Sequence, residues 1–423
     1  MKNNSTINNK IPQLRFPGFT GDWEEKSLGE VGVFVRGLSY NKGEVTQDRA
    51  ATLVLRSNNI IQDGVVDCRN GLQFVTKEPS SEQILQKGDI VICLSNGSSN
   101  LVGKSANYEG DYAGIATVGA FCGIYRSTAP ITKYLVQTPA YKKSVELIKQ
   151  GGNGALANLY GRDILGLKFY FPTLEEQNEI VECLEAEDRM IAAQEQKVES
   201  LKAHKKGLMQ QLFPQSGETT PRLRFPGFTG KWQEKKLNKV FSRVTRKNAE
   251  NNQNVLTISA QYGLISQLEF FKKSVASSDV TGYYLLHRGE FAYNKSSSQG
   301  RPVGAIKPLR LYDKGVVSTL YICFKCNNPE EIDFWEQYFD AGILDSEILS
   351  IAQEGARNHG LLNISTGDFF GLNVILPTPP EMKKIAECLF SFDDVITAAE
   401  NELDSLKAHK KGLMQQLFPQ LQK

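Results

Sequence analysis

Apolar residues follow two different patterns along the chain. In two long stretches they recur at the alternating three- and four-residue spacing of a heptad repeat, which predicts a long α-helix over 171–215 and a second over 376–423. The residues of the two predicted apolar seams are Ile180, Leu184, Ile191, Val198, Leu201, Leu208 and Leu212 in the first helix, and Ile385, Leu389, Ile396, Leu403, Leu406, Leu413 and Leu417 in the second.

A body of short apolar runs, separated by Gly, Asn and Ser, precedes each helix. In LQKGDIVICL (85–94) and LLHRGEFAYN (285–294), a Gly-acid turn comes before the apolar run, which is typical of the start of a β-strand. We therefore predict an α+β fold with two similar globular domains, over 12–170 and 221–375, joined by a linker over 216–220.

The two halves of the chain carry the same flanks around different bodies. The motif LRFPGFTG occurs at 14–21 and again at 223–230, and the segment SLKAHKKGLMQQLFPQ occurs at 200–215 and again at 405–420. Aromatic residues in and after each LRFPGFTG motif predict an apolar anchor that docks the start of each domain on its scaffold. These residues are Phe16, Phe19 and Trp23 in the first half, and Phe225, Phe228 and Trp232 in the second.

Two heptad helices in one chain can pair with each other. We predict an antiparallel coiled coil that relates the two domains by a pseudo-two-fold axis and places them at opposite ends of a rod. The alternative is that each helix is amphipathic and packs only on its own domain. Lys205 and Lys410 fall on a positions of the seams, where they either fix the register or lie beyond the tight part of the seam.

Composition and charge say little about a ligand. A formal net charge of +2 neither supports nor excludes nucleic acid, because a local basic patch is sufficient for binding. No apolar run is long enough for a membrane span. Residues 1–11 are polar, lack the apolar core of a signal peptide and are expected to be a disordered lead-in, so we expect a cytoplasmic protein.

Seven scattered cysteines give no disulfide framework. Cys323 and Cys326 form a C-x-x-C pair, but no second ligand pair stands at the spacing of a zinc site, so we predict no metal site. Alternation of Leu320, Ile322 and Phe324 instead indicates a β-strand that contains the two cysteines.

Motifs of catalysis are also lacking. The segment GSSNLVGKS (97–105) has five residues between its first Gly and Gly-Lys, where a Walker A loop has four, and Ala305 stands at the position of Lys104 in the second half. No dinucleotide-binding turn and no triad of nucleophile, base and acid can be assembled from the sequence. We predict a protein that is not itself an enzyme.

Each body ends at a motif of the form P-x-x-x-E-x-x-x-I-x-x-x-L, which opens the long helix. Together with the duplicated architecture, this motif resembles the specificity subunits of Type I restriction–modification enzymes over nearly the whole chain. The second copy departs from the first at Met382 and at Pro379–Pro380. The residues that carry the resemblance are Pro172, Leu174, Glu176, Gln177, Ile180 and Leu184, followed by Pro377, Glu381, Ile385 and Leu389.

The resemblance implies that each body is a target recognition domain that reads one half of a split, asymmetric double-stranded DNA sequence. The paired helices would set the spacing and bind two modification subunits that methylate adenine at N6, and restriction subunits with translocase activity would join them. The chain would then hold no cofactor, since S-adenosylmethionine, ATP and Mg would lie on the partner subunits. The alternative function is a coiled-coil scaffold with two ligand-binding domains that does not bind DNA.

Candidate DNA contacts are polar and basic residues in predicted loops, because Arg and Lys contact phosphate and guanine, and Asn and Gln contact adenine. In the first body they are Arg56, Asn58, Asn59, Asn96, Ser98, Lys104, Asn153 and Arg162. In the second body they are Gln261, Tyr262, Lys295, Gln299, Arg301, Arg357, Asn358 and His359.

Overall fold

The structure is a computed structural model that divides into two compact units. One unit contains Met1–Gln194 and Glu402–Lys423, and the other contains Glu195–Asn401. Each unit therefore combines one body with segments of both long helices. The residues that the structure describes are 10–61, 64–150, 158–215, 217–259, 263–272, 279–296, 302–352 and 362–419.

The first unit contains three small sheets. One four-stranded sheet has the order β2-β9-β6-β7, the second has the order β3-β5-β4-β8, and β1 pairs with β10. The strands are β1 (Glu24–Ser27), β2 (Gly32–Arg36), β3 (Val45–Thr46), β4 (Thr52–Leu55), β5 (Gln73–Val75), β6 (Ile90–Cys93), β7 (Ser105–Asn107), β8 (Ala116–Val118), β9 (Cys122–Ser127) and β10 (Lys168–Phe171).

All four residues of β4 and of β6 are buried, as expected for short apolar runs bounded by turns. The helices that begin in this unit are α1 (Thr132–Leu135), α2 (Pro139–Gln150), α3 (Gly161–Leu165) and the 39-residue α4 (Leu174–Leu212), which continues into the second unit.

The second unit has a four-stranded sheet of order β12-β19-β16-β17 and three two-stranded pairs, β11-β20, β13-β14 and β15-β18. Its strands are β11 (Gln233–Lys236), β12 (Phe241–Arg243), β13 (Leu256–Ser259), β14 (Gly263–Ser266), β15 (Tyr284–His287), β16 (Phe291–Asn294), β17 (Ala305–Pro308), β18 (Lys314–Val317), β19 (Ile322–Cys326) and β20 (Asn373–Leu376). Its helices are α5 (Leu237–Val240), α6 (Gln267–Phe271), α7 (Ile332–Asp340), α8 (Asp345–Ile351), α9 (Thr366–Gly371) and α10 (Pro379–Leu417), which continues into the first unit.

The prediction of a mixed helix-and-sheet fold with a long helix after the first body is confirmed. The duplication extends to the topology, because β12-β19-β16-β17 repeats the strand order of β2-β9-β6-β7. Along α4 and α10, every predicted seam residue is buried or half-buried. The pairing of the two helices along their whole length stays a prediction.

Each core contains the tail of the helix that began in the other half of the sequence. The core of the first unit includes Trp23, Leu417 and Phe418, and the core of the second includes Phe213 and Trp232. The tail also meets the LRFPGFTG motif through its backbone. The N–H of Leu14 donates to the carbonyl oxygen of Gln416 at 3.0 Å in the first unit, and the N–H of Leu223 donates to that of Gln211 at 3.0 Å in the second.

The LRFPGFTG motif is fixed by an ion pair as well as by aromatic packing. Arg15 donates from Nε to Oε1 of Glu176 at 2.8 Å and from Nη2 to Oε2 at 2.6 Å. Arg224 makes the same two-pronged contact with Glu381 in the second unit, and this contact raises the pKa of the Arg224 guanidinium. Trp23 is buried, but Phe16 and Phe19 are only half-buried, so the tryptophan is the main aromatic anchor.

All seven cysteines are free thiols. Cys323 and Cys326 lie in β19, but the expected alternation is wrong for Leu320, which precedes the strand and is exposed. Within the described part of the chain, no group of three or more potential ligands comes together as a metal site. The described helices include none with the length and apolar character needed to cross a bilayer.

Candidate DNA-reading surface

Loops of the first body that are far apart in sequence meet at one end of its sheets. Asn96, in the loop after β6, donates from Nδ2 to the hydroxyl oxygen of Ser57, in the loop after β4, at 2.8 Å. The backbone N–H groups of Leu94 and Ser95 both donate to the carbonyl oxygen of Phe121, in the turn between β8 and β9, at 2.8 and 3.2 Å. Three loops are thus tied to one another by hydrogen bonds.

A fourth loop, which leads into α3, joins the same group. The hydroxyl of Ser95 donates to Oδ1 of Asn158 at 2.6 Å, and the N–H of Leu159 donates to the carbonyl oxygen of Leu94 at 2.9 Å. We call this group of four loops the loop cluster, defined by residues 56–59, 94–98, 119–121 and 158–162. Its backbone is held by several bonds, so its outward side chains have a fixed platform.

The outward side chains of the loop cluster have the chemistry of DNA contacts. Asn58 and Ser98 are exposed and offer an amide, which also donates to the carbonyl oxygen of Gly71 at 3.4 Å, and a hydroxyl. The side chain of Arg162 is 83% exposed, and its guanidinium carbon lies 5.2 Å from the ring centroid of the exposed Tyr160. An aromatic ring under the guanidinium restricts its directions, which favours a directed contact with phosphate or a base.

Asn59 is wrong as a candidate contact. It is 0% exposed, and its amide donates to the carbonyl oxygens of Asp67 at 3.2 Å and Asn70 at 2.9 Å. Its Oδ1 accepts the N–H of Arg56 at 3.0 Å. The amide of Asn59 is fully used in holding the loop. In the neighbouring turn, hydrogen bonds from the Arg69 N–H and the Asn70 side chain stabilise the charged form of Asp67 and lower its pKa.

The remaining described candidates are partly committed to the fold. Arg56 donates from Nη2 to the carbonyl oxygen of Gly71 at 2.9 Å and is half-buried. Asn96 uses its amide on Ser57 and accepts the N–H of Ser98 at 2.9 Å. Lys104 is half-buried at the start of β7, outside the loop cluster.

The described part of the second body has a counterpart to the loop cluster. The N–H of Leu362, in the loop before α9, donates to the carbonyl oxygen of Lys295 at 3.0 Å, much as the loop before α3 is bonded to Leu94 through Leu159. The ammonium group of Lys295 lies 3.3 Å from the carbonyl oxygen of Ile364. The other candidates fall outside the described residues, and they are Asn153, Gln261, Tyr262, Gln299, Arg301, Arg357, Asn358 and His359.

Sequence reasoning missed Phe121 and Tyr160, which are exposed aromatic residues of the loop cluster. It also missed Ser57 and Asn158, whose side chains join the loops. No periodicity or motif distinguishes these four residues, and the partners of Ser57 and Asn158 are distant in the sequence.

Comparisons with known proteins agree with this geometry. Residues 20–203, which include the whole loop cluster, match the family described as Type I restriction modification DNA specificity domain. The chain is 30% identical over 171 residues to the Type I restriction enzyme StySPI specificity subunit of Salmonella potsdam, and equally to the EcoKI specificity subunit of Escherichia coli (strain K12). Each match covers 38% of this chain and 35% of the relative, so the aligned part spans about a third of the length of these curated relatives.

A solved structure extends the likeness in fold to both halves. The crystal structure of a Type I restriction–modification system S subunit from M. genitalium has a TM-score of 0.53 and 12% sequence identity, and the match covers 97% of this chain and 100% of that one. Residues 20–203 therefore resemble the Type I restriction modification DNA specificity domain, and the chain as a whole shares the fold of that solved S subunit.

Proposed function

We propose that this chain is the non-catalytic DNA specificity subunit of a Type I restriction–modification complex. The observation that carries the proposal is the coincidence of the loop cluster with the matched specificity domain. The exposed Asn58, Ser98 and Arg162 lie on one set of joined loops inside residues 20–203. Amide, hydroxyl and guanidinium groups on a braced surface are the means by which proteins contact bases and phosphates.

Each body reads a different half of a bipartite, asymmetric target. The flanks of the two bodies are near copies, whereas the loops differ. Ser95 and Ser296 occupy corresponding positions, but the residues that follow them are different, beginning with Asn96 in the first body. Different contact residues on similar platforms recognise different bases. Two identical readers related by a two-fold axis would instead select a palindromic target.

The two long helices pair as an antiparallel coiled coil and scaffold the partner subunits. Contacts inside each unit support this pairing. In the first unit Lys410 of α10 pairs with Asp188 of α4, and Gln194 of α4 donates to Glu402 of α10 at 2.9 Å. Residues further along α4 contact residues earlier in α10, which is the order expected of an antiparallel pair.

The partners in this proposal are double-stranded DNA, two modification subunits and restriction–translocase subunits, in the cytoplasm. S-adenosylmethionine is bound by the modification subunits, which methylate adenine at N6, and ATP and Mg are bound by the restriction subunits. What this chain contributes is sequence selection and assembly. The catalytic chemistry takes place on its partners.

Mapping of methylated adenines across a genome tests the proposal. Cells that express the modification subunits with this chain should acquire methylated adenines in one bipartite, non-palindromic motif, and cells that express the modification subunits alone should not. Binding of the assembled complex to that motif should weaken steeply as salt rises, because Lys and Arg contacts to phosphate release counterions. The absence of any new methylated motif, or a motif that stays the same without the chain, would exclude this function.

A further inference from the structure

Two of the most exposed apolar side chains among the described residues lie one in each body. Phe121 is 71% exposed and Leu320 is 60% exposed, and these are the two highest values among the exposed large apolar residues. A single exposed apolar side chain is common on protein surfaces and needs no explanation by itself. Their positions in the two bodies, however, are equivalent.

Each residue occupies the same place in a tight turn that enters the same strand of the sheet. Gly119–Cys122 forms a turn into β9 that is closed by a 2.8 Å hydrogen bond from the N–H of the last residue to the carbonyl of the first. Ser318–Tyr321 forms the corresponding turn before β19, closed by a 3.1 Å bond. Phe121 and Leu320 are the third residues of these turns, so both halves of the chain place an apolar side chain at one structural position.

The turn that carries Phe121 is held firmly by its neighbours. Gly119 donates its N–H to Leu55 O at 2.9 Å, and Gly37 donates to Cys122 O at 3.1 Å. A Cβ atom on Gly37 would lie 2.2 Å from the carbonyl oxygen of Gly119, so only glycine permits this close approach. The exposed ring is therefore presented by a rigid turn rather than by a loose loop.

Polar residues lie in the loop bonded to Phe121, and a basic residue lies at the same end of the sheet as Leu320. The Phe121 carbonyl accepts bonds from the loop that carries Asn96 and Ser98. In the second body, Tyr293 of β16 pairs with Ile322 of β19, and Lys295 and Leu320 each lie two residues beyond this pair, at the same end of the two strands. An exposed apolar side chain near polar and basic residues is suited to contact DNA, because thymine methyl groups lie among hydrogen-bonding base edges in the major groove.

We propose that Phe121 and Leu320 are apolar base contacts, each meeting the 5-methyl group of a thymine in the major groove of the half-site read by its own body. The inference rests on the proposed function and adds to it a named specificity residue in each half. The methyl group and the apolar side chain bury each other's surface, which stabilises the complex with DNA that has thymine at this position. Cytosine at the same position lacks the methyl group and loses the contact.

The test uses the chain assembled with its modification subunits and a duplex that carries its mapped target. Each thymine is replaced in turn by deoxyuridine, which removes only the methyl group, and affinity is measured for the wild type, Phe121→Ala and Leu320→Ala. One replacement in each half should weaken wild-type binding about fourfold, the effect of one buried methyl group. Phe121→Ala should remove the effect of deoxyuridine on affinity in the first half-site alone, and Leu320→Ala should remove it in the second half-site alone. Phe121→Leu should retain part of the effect in the first half-site.

Two variants serve as matched controls. Val33 is an exposed apolar residue that pairs with Arg126 at the other end of β9, and Leu311 is an exposed apolar residue that follows β17 at the opposite end of β16. Val33→Ala and Leu311→Ala should respond to deoxyuridine as the wild type does. All variants should keep the wild-type melting temperature, because the side chains are exposed.

The outcomes separate this inference from the proposed function. If the wild type binds its motif but all variants respond alike to every deoxyuridine, the motif readers are intact and the apolar contacts are refuted. A Phe121→Ala protein that assembles poorly with the modification subunits, with no change in thymine dependence, would assign the tip to a protein interface and also refute the inference. A wild-type complex without sequence preference would overturn the proposed function and this inference together.

Discussion

The ammonium nitrogen of Lys205 on α4 lies 2.6 Å from Oδ1 and 2.7 Å from Oδ2 of Asp393 on α10, and both residues belong to the second unit. Lys410 and Asp188 form the equivalent pair in the first unit, each number shifted by the same repeat length (410 − 205 = 205; 393 − 188 = 205). Gln337 donates to Asp393 as well, at 3.0 Å. The pair of Lys205 and Asp393 therefore joins the two helices, and Asp393 joins them to the globular body through Gln337; such a pair is suited to setting the register of the helices.

Substitution of Lys205 should destabilise the second unit. Lys205→Met removes the ammonium group and leaves Asp393 with Gln337, and because the aspartate is partly exposed we expect a loss of about 1–2 kcal/mol in the free energy of unfolding. Guanidinium unfolding followed by circular dichroism measures this change. Lys206→Met, at an exposed position of the same helix, is the control. Equal stability of the two variants would show that the pair does not fix the helices.

The ion pair between Arg15 and Glu176 should contribute more to stability than the pair of Lys205 and Asp393, because the side chain of Glu176 is only 2% exposed. Arg15→Leu leaves a buried carboxylate without its two-pronged partner and should cost about 3–5 kcal/mol. The double variant Arg15→Leu/Glu176→Leu removes the unpaired charge and should recover part of the loss. Arg222→Leu, at a largely exposed arginine, provides the comparison. A double variant no more stable than Arg15→Leu would contradict the unpaired-charge explanation.

The helix tails should act on the body in whose core they lie. Phe418 is 1% exposed in the core of the first unit, and Phe213 lies in the core of the second. Replacement by alanine should cost about 3–5 kcal/mol in each case, through lost burial and the cavity left behind.

Limited proteolysis with mass spectrometry locates the effect of these two variants. Phe418→Ala should expose new cleavage sites within residues 12–170, and Phe213→Ala should expose them within 221–375. Lys411→Ala, at an exposed position of the same tail, should leave the pattern unchanged. Cleavage of the opposite body in either variant would contradict the assignment of tails to cores.

The sequence predicts those features that depend on local periodicity or on exact repetition. The long helices, the seam residues such as Leu184 and Leu389, and the duplicated architecture all follow from such patterns. Features that depend on distant partners are not predictable in this way. Asp188 and Asp393 carry no signal of their lysine partners, and Arg15 carries none of Glu176, because each pair joins residues more than 150 positions apart.

Loop residues show the same limit at the candidate site. Asn58 and Asn59 are adjacent and chemically identical, yet one is exposed and the other is buried. An amide that contacts DNA and an amide that holds a loop need the same residue type, so composition cannot separate them. Only the three-dimensional arrangement of residues 56–61 and 64–71 does so.

This adjacent pair gives a direct comparison of a contact residue with a supporting residue. Asn59→Ala should lower the free energy of unfolding by about 1–3 kcal/mol, because it removes the hydrogen bonds that this buried side chain makes with Asp67, Asn70 and Arg56. Asn58→Ala should leave stability unchanged and weaken binding of the assembled complex to its target. Thermal melts and binding isotherms on both variants test this division. A stable Asn59→Ala protein with lost binding would reverse the two assignments.

The central claim is that each body independently reads half of a DNA target, and exchange of one body tests it most directly. Residues 12–170 are replaced by the corresponding body of a related specificity subunit, with the long helices and the second body left intact. Methylated adenines are then mapped in cells that also express the modification subunits. The account predicts a new bipartite motif in which one half has changed and the other is that of the wild-type chain. A motif changed in both halves, or an unchanged motif, would contradict it.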